Sequence, residues 1–328
     1  LNKYFAGIHT IARHGVRFLK FKSRIPIAVI VLMLGCFYSS SYGEGLFDME
    51  TGRKTFVHDG VNISYIDRGS GTPMLMLHGF GASSYSWRYI ISGFAKEYRV
   101  LAVDLKGFGL SDKPNDSNYS VKDQSNIIKY FIKENHLRDV VLVGNSFGGA
   151  VALLTSFELR ESGNIKSLIL LDSAGYDQDF PFFIKILRIP LLNRLSLSLV
   201  PNRTNAKMIL DKAFWDDSKI TEEMVSVYAN YIGLSGSHHA LIMTAEEIVP
   251  NDIASIMQKY KQITVPVLII WGERDEIIPL SIGQRLAKDI PGARLQIINN
   301  CGHAPQEECP EETIYLIKNF LANGGMSN

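Results

Sequence analysis

Cysteine is almost missing from this chain. Cys36, Cys301 and Cys309 are too few for a disulfide framework and stand at no zinc-binding spacing. Net charge is nearly missing too: 34 basic against 33 acidic side chains leave a formal +1. Proteins that neutralise many phosphates carry a basic excess or stripe, and the body of the chain has none, so no nucleic-acid partner is expected. Internal repeats, low-complexity tracts, nucleotide-binding glycine loops and metal-ligand motifs are also lacking, so no cofactor and no metal are expected. What is present is an ordinary globular composition, 46% hydrophobic and 20% charged, in a chain long enough to bury a large core.

The N-terminal segment departs from this balance. Lys3, Arg13, Arg17, Lys20, Lys22 and Arg24 face no acidic residue before Glu44, and they lead into an uncharged run from Ile25 to Tyr38. A basic lead, a short apolar core and then small polar residues (Ser39, Ser40, Ser41, Gly43) form the pattern of an export signal. The run is shorter than the ~20 apolar residues of a comfortable membrane span. Three outcomes stay open: cleavage after Gly43, acylation of Cys36 in Met33-Leu34-Gly35-Cys36, or retention as an anchor with its basic side in the cytoplasm. Residues 1–45 are therefore read as a signal or membrane-anchor segment, and the remainder is expected to be exported or membrane-attached, on the periplasmic or extracellular face. In that compartment Cys301 and Cys309 could bridge, although two unpaired thiols is the simpler expectation.

From about Lys54 onward, strand and helix patterns alternate. Thr55–His58 and Asn62–Ile66 are β-branched segments joined by Asp59-Gly60, a hairpin turn. Met74–His78 is a short apolar run that fits a strand buried on both faces, and Arg99–Val103, Val140–Val143, Ser167–Leu171, Val265–Trp271 and Leu295–Ile298 read as further strands. Ser86–Glu97, Val121–Asn135, Leu280–Ile290 and Pro310–Leu321 carry helical spacing. Between Gly175 and Lys261 the rhythm breaks into amphipathic stretches without a clear strand. Strands separated by helices imply parallel pairing with right-handed crossovers. The expectation is one α/β domain over residues 54–322, a mostly parallel twisted sheet flanked by helices, with an α-helical cap at about 175–261 after the sixth strand.

The strongest chemical signal is Gly144-Asn145-Ser146-Phe147-Gly148, set between an apolar strand and a helix. Such a turn must reverse sharply, which holds the serine in a strained conformation with its hydroxyl exposed. A serine is a poor nucleophile without a base, and the base needs orienting. His303, in Cys301-Gly302-His303-Ala304 after the last strand, is the best-placed base. Asp275, in Gly272-Glu273-Arg274-Asp275 after the preceding strand, is the matching carboxylate, with Glu273, Glu276 and Asp172 as rivals. All three residues leave the carboxyl ends of strands, where open α/β sheets assemble their sites. Asp104 and His78 read as loop braces, and His238 and His239 as pocket or surface residues.

Together these pieces, with His78-Gly79-Phe80-Gly81 and Asp104-Leu105-Lys106-Gly107-Phe108-Gly109, resemble the α/β-hydrolase superfamily from about Lys54 to Leu321. The resemblance implies a Ser146–His303–Asp275 catalytic triad, an oxyanion hole from the Phe80 and Phe147 amides, and no cofactor. Haloalkane dehalogenases and epoxide hydrolases carry aspartate where Ser146 stands. Serine suits esterases, lipases and the C–C hydrolases of ring-fission products. The last share the Gly-Asn-Ser-x-Gly-Gly elbow but not the loop His78-Gly79-Phe80-Gly81-Ala82-Ser83. The apolar stretch Phe180–Leu199 would line an acyl pocket, touch lipid, or only pack the cap on the sheet. The expected activity is hydrolysis of small apolar carboxylic esters. The alternatives are a C–C hydrolase or acyltransferase using the same triad, and a ligand-binding protein with a vestigial site.

Overall fold

The computed structural model describes residues 49–324. The basic and apolar N-terminal segment, with the export, lipidation and anchoring expectations attached to it, lies outside the described residues. Among those described, no helix is long and apolar enough to cross a membrane.

The first half of the domain runs β1 (Arg53–His58), β2 (Val61–Arg68), β3 (Thr72–Leu77), α1 (Arg88–Phe94), β4 (Tyr98–Val103), α2 (Val121–Glu134), β5 (Val140–Asn145), α3 (Phe147–Glu158) and β6 (Ile165–Leu171). Then come α4 (Phe182–Leu187), α5 (Leu192–Leu199), α6 (Asn202–Ala213), α7 (Glu222–Ile232), α8 (Ser237–Glu246) and α9 (Ile253–Lys259). The chain closes with β7 (Val267–Gly272), α10 (Leu280–Asp289), β8 (Arg294–Ile298), α11 (Pro305–Glu308) and α12 (Pro310–Ala322). The strands form one eight-stranded sheet in the order β1-β2-β4-β3-β5-β6-β7-β8. β1, β2 and β4 pair antiparallel, and every other neighbour pair is parallel.

Local chemistry explains the boundaries. Asp59 (φ 49°) and Gly60 (φ 78°) both take positive φ, as a two-residue hairpin turn matched to strand twist requires. Ser120 and Asp123 make a reciprocal capping box at the start of α2. The helix expected from Ser86 begins instead as a 3₁₀ turn, Ser84–Trp87, because the Ser83 hydroxyl accepts from Tyr85 N–H and fixes a tighter entry. The helix α11 went unseen in the sequence, since one turn is too short to show a period.

Alternate residues of each central strand face opposite cores. Leu75 and Leu77 join the larger cluster with Leu142, Leu168, Ile269 and α2–α3. Met74 and Met76 join the other, with Val141, Val143, Ile270, Trp87 and α12. Burial of both faces is why these strands read as solid apolar runs. Each fully buried aliphatic side chain contributes about 1.5–3 kcal/mol of transfer free energy. The helices α4–α9 form an insert between β6 and β7, and no strand interrupts it.

Candidate active site

The elbow after β5 explains its own sequence. Ser146 has φ 55° and ψ −120°, a conformation costly for any residue with a Cβ, and it begins α3. Neighbours enforce it: a Cβ on Gly144 would lie 2.4 Å from the Gly148 carbonyl oxygen, and one on Gly148 would lie 2.3 Å from that of Leu77. The Ser146 N–H donates to Leu171 O at 3.0 Å and Ser146 O accepts from Ala174 N–H at 3.0 Å, which ties the turn to the end of β6. In the first turn of α3 the Phe147 and Gly148 N–H groups have no intrahelical acceptor and point outward from the positive end of the helix.

His303 and Asp275 meet across the ends of β7 and β8. His303 Nδ1 lies 2.8 Å from Asp275 Oδ2. The other carboxylate oxygen accepts the Ile277 and Ile278 N–H groups at 2.7 and 2.9 Å, so the acid is held at both ends. The Asp275 side chain is fully buried and that of His303 nearly so. With Nδ1 donating to Asp275, Nε2 is the nitrogen left to take a proton. Ser146, His303, Phe80, Gly79 and Asn145 line one cavity of about 60 Å³, closed by Phe183, Ile184, Ile209, Leu210, Ala213 and Tyr228 of the insert.

The rivals for the acid are engaged elsewhere. Glu273 pairs with Arg274 and Glu276 with Lys212. Asp172 is different. It is fully buried after β6, and one oxygen accepts the Gly272 N–H at 2.9 Å. Its second oxygen is buried without a donor and stands beside the Asp275 carboxylate. Burial first, and the Asp275 charge second, hold Asp172 well above the usual carboxylate range. Burial beside the Asp275 carboxyl therefore favours the neutral form of Asp172.

The loop after β3 hangs over the serine. A Cβ on Gly79 would lie 3.1 Å from Ser146 Cβ. His78 braces that loop from beneath: Nε2 accepts the Leu105 N–H at 3.0 Å, which leaves Nδ1 to donate to Gly79 O at 2.8 Å. Full burial lowers the His78 pKa and keeps the ring neutral in that tautomer. Asp104 accepts from Ser84 and Leu110 N–H groups, the loop-bracing role its context suggests. His239 Nε2 lies 2.7 Å from Asp116 O, and His238 faces Asn202, both away from the serine cavity.

Three positioning residues escaped the sequence reading. The Asn145 side-chain amide donates to both Leu171 O and His303 O at 3.1 Å, joining the serine and histidine loops. Glu308 accepts from Gly302 N–H through one oxygen and from Trp215 and Asp216 N–H through the other, locking the histidine loop to the insert. Glu307 pairs with Arg88 at 2.6 Å and accepts the Tyr228 hydroxyl at 2.6 Å. Only the Gly-Asn-Ser pattern hinted at any of these. Cys301 and Cys309 are free thiols, with Cys301 pushed up by the hydrogen bond to Cys309 and by burial. They and Glu308 could reach a common ion, as could Asp172, Asp275 and His303. The bonds just described already occupy both Glu308 oxygens and the His303–Asp275 pair.

Residues 74–314 match the Alpha/beta hydrolase family. Over 271 residues the chain is 30% identical to a 2-hydroxymuconate semialdehyde hydrolase of Pseudomonas putida, covering 80% of this chain and 92% of that one. It is 28% identical over 272 residues to the uncharacterized hydrolase YugF of Bacillus subtilis (strain 168), covering 82% and 97%. Among solved structures, a meta-cleavage product hydrolase of Pseudomonas fluorescens IP01 (CumD) superposes with a TM-score of 0.70 at 27% identity, covering 82% of this chain and 97% of that one.

Proposed function

The chain belongs to the alpha/beta hydrolase family, and from that premise we propose that it is a serine hydrolase of uncharged carboxylic esters with apolar acyl groups. Ser146 attacks the acyl carbon while His303 Nε2 takes the hydroxyl proton. Asp275 holds the His303 tautomer and stabilises the imidazolium. The Phe80 and Phe147 N–H groups receive the oxyanion, each contributing about 3 kcal/mol to the transition state. The alcohol leaves with the His303 proton, and water then releases the acid by the same relay.

The observation that carries this reading is the wall chemistry of the serine cavity. Apart from His303 its only ionisable groups are Tyr228 and Glu307, and Glu307 is already paired with Arg88. An anionic substrate would find no free cation there and would face a buried carboxylate. An adjoining cavity of about 210 Å³ shares Phe80, Phe183 and Ile209 with it and is lined mostly by aliphatic and aromatic side chains. An acyl chain fits that space by burial alone.

A second reading is C–C bond hydrolysis by the same residues. The relative of Pseudomonas putida is named for 2-hydroxymuconate semialdehyde, a carboxylate, and the Gly144-Asn145-Ser146-Phe147-Gly148-Gly149 elbow also supports it. For such a substrate an unspent donor is the buried Nη2 of Arg88, which has no hydrogen-bond partner and belongs to the side chain paired with Glu307 of the cavity wall. Turnover of p-nitrophenyl esters and of a vinylogous dienone acid by the same preparation separates the two readings. Ester turnover and fluorophosphonate labelling are expected to vanish in Ser146→Ala. Retention of both would remove the serine assignment, and exclusive turnover of the dienone acid would favour the second reading.

A further inference from the structure

The outer surface of the insert carries more apolar area than a closed acyl pocket needs. Phe182 and Leu199 are each 76% exposed and Leu191 is 70% exposed, with Ile189, Leu192 and Leu195 also exposed. On α5, Leu192, Leu195 and Leu199 recur at helical spacing on the outer face, while Leu197 is buried on the inner one. The link between α4 and α5 ends at Leu191, whose φ of 71° lies in the left-handed region and whose side chain projects outward from the tip. Contiguous apolar exposure of this kind marks an interaction surface.

Charge states what the surface meets. Phe180–Leu210 contains Lys185, Arg188, Arg194, Arg203 and Lys207 and no aspartate or glutamate. Lys185, Arg203 and Lys207 pair with Asp179, Glu222 and Asp211. Arg188 and Arg194, both exposed, have no carboxylate partner among the described residues, and the nearest acid in the Arg194 cleft is Glu246 on α8. Two unpaired guanidinium groups flank the exposed leucines. Beneath them lies the 210 Å³ apolar cavity that has Phe182 in its wall and shares Phe80, Phe183 and Ile209 with the serine cavity.

We infer that α4, the Ile189–Leu191 link and α5 dock on an anionic phospholipid bilayer. The leucines enter the acyl boundary, and Arg188 and Arg194 meet lipid phosphates. An amphipathic element with cations beside its apolar face binds such a surface through both terms, and each cation near an anionic leaflet strengthens binding about fivefold. Passage of a lipid-borne acyl chain from the bilayer through the apolar cavity to Ser146 rests on the ester-hydrolase reading; the docking itself does not.

The test places a reporter on the tip of the full chain. Leu191→Trp is mixed with vesicles of phosphatidylcholine and 30% phosphatidylglycerol, both brominated in the acyl chains. Trp215, 46% exposed, is replaced by Phe in both proteins, and emission is read as the difference from that parent, whose Trp87 and Trp271 are buried. Quenching of Trp emission at position 191 is expected, with a large loss in pure phosphatidylcholine and about 30-fold weaker partitioning when Arg188→Gln and Arg194→Gln are added. Raising the salt to 1 M, where the Debye length is about 3 Å, should weaken it too. Absence of quenching with anionic vesicles overturns the proposal. So does quenching indifferent to lipid charge and to both arginines, or a reporter already shielded in lipid-free protein by self-association or by the chain's own N-terminal segment. The readout uses no catalysis, so it stands or falls apart from the ester assignment, while circular dichroism checks that the variants are folded.

Discussion

The loops at the carboxyl ends of β5, β6, β7 and β8 and the outer face of α4–α5 solve opposite problems. In the loops the candidate site side chains are buried and held by neighbours: Asp275 accepts three hydrogen bonds, and Asn145 holds two loops at once. On the outer face apolar side chains stand in solvent, and Arg188 and Arg194 have no carboxylate partner among the described residues. Proton transfer tolerates only small errors in distance, so its groups are over-determined by neighbours. Recognition of an apolar chain is non-directional and needs only area. The same chain therefore holds Ser146 in a strained turn and leaves the apolar side chains of the outer α4–α5 face exposed.

The largest expected effect tests the rigid side. Asp275→Asn should lower kcat on a soluble p-nitrophenyl ester by about 10⁴-fold, because an amide favours the wrong His303 tautomer. A loss below tenfold, with unchanged circular dichroism, would shift the acid role to Asp172. Next comes the loose side. Ile209→Trp intrudes into the wall shared by the two cavities, so kcat/KM for long acyl esters should fall about 10–200-fold while acetate esters are little affected. A uniform loss across chain lengths would mean that the adjoining cavity holds no acyl group.

The smallest effect on rate is expected at Asp172. Asparagine keeps an acceptor for Gly272 N–H and offers Asp275 a donor where the neutral acid has its proton, so kcat should change by less than about threefold. Stability should change more. A carboxyl raised above 3.8 in the folded state keeps its proton where the unfolded chain has lost it. Its contribution is fully present below about pH 4 and is lost as the pH rises toward the folded value, at up to about 1.4 kcal/mol per pH unit. Asp172→Asn should flatten that fall, so thermal melts from pH 5 to 9 would show the variant gaining on the wild type as the pH rises. Parallel melting curves would mean that Asp172 is ionised in the folded protein.

Much of this was legible in one dimension. The strand runs, the Asp59-Gly60 turn and the Gly144–Gly149 elbow each carry a local steric or burial rule, and the structure places them where those rules require. Of the elements that went unread, α9 and α11 are short and offer too few turns to display a period. Glu307, Glu308 and the position of Asp172 beside Asp275 were opaque for another reason. Each acts through a partner distant in sequence, such as Arg88 for Glu307, 219 residues away.

The sequence by itself determined the alternation of elements, the strained turn at Ser146 and the order in which Ser146, Asp275 and His303 leave their strands, because these follow from backbone sterics and from solvent exclusion along the chain. Only the tertiary structure decided that β4 lies between β2 and β3, that Asp172 is buried beside Asp275 with its pKa raised, and that an apolar cavity adjoins the serine. Those outcomes depend on which long-range neighbours exclude water from a given group, and no local pattern encodes that.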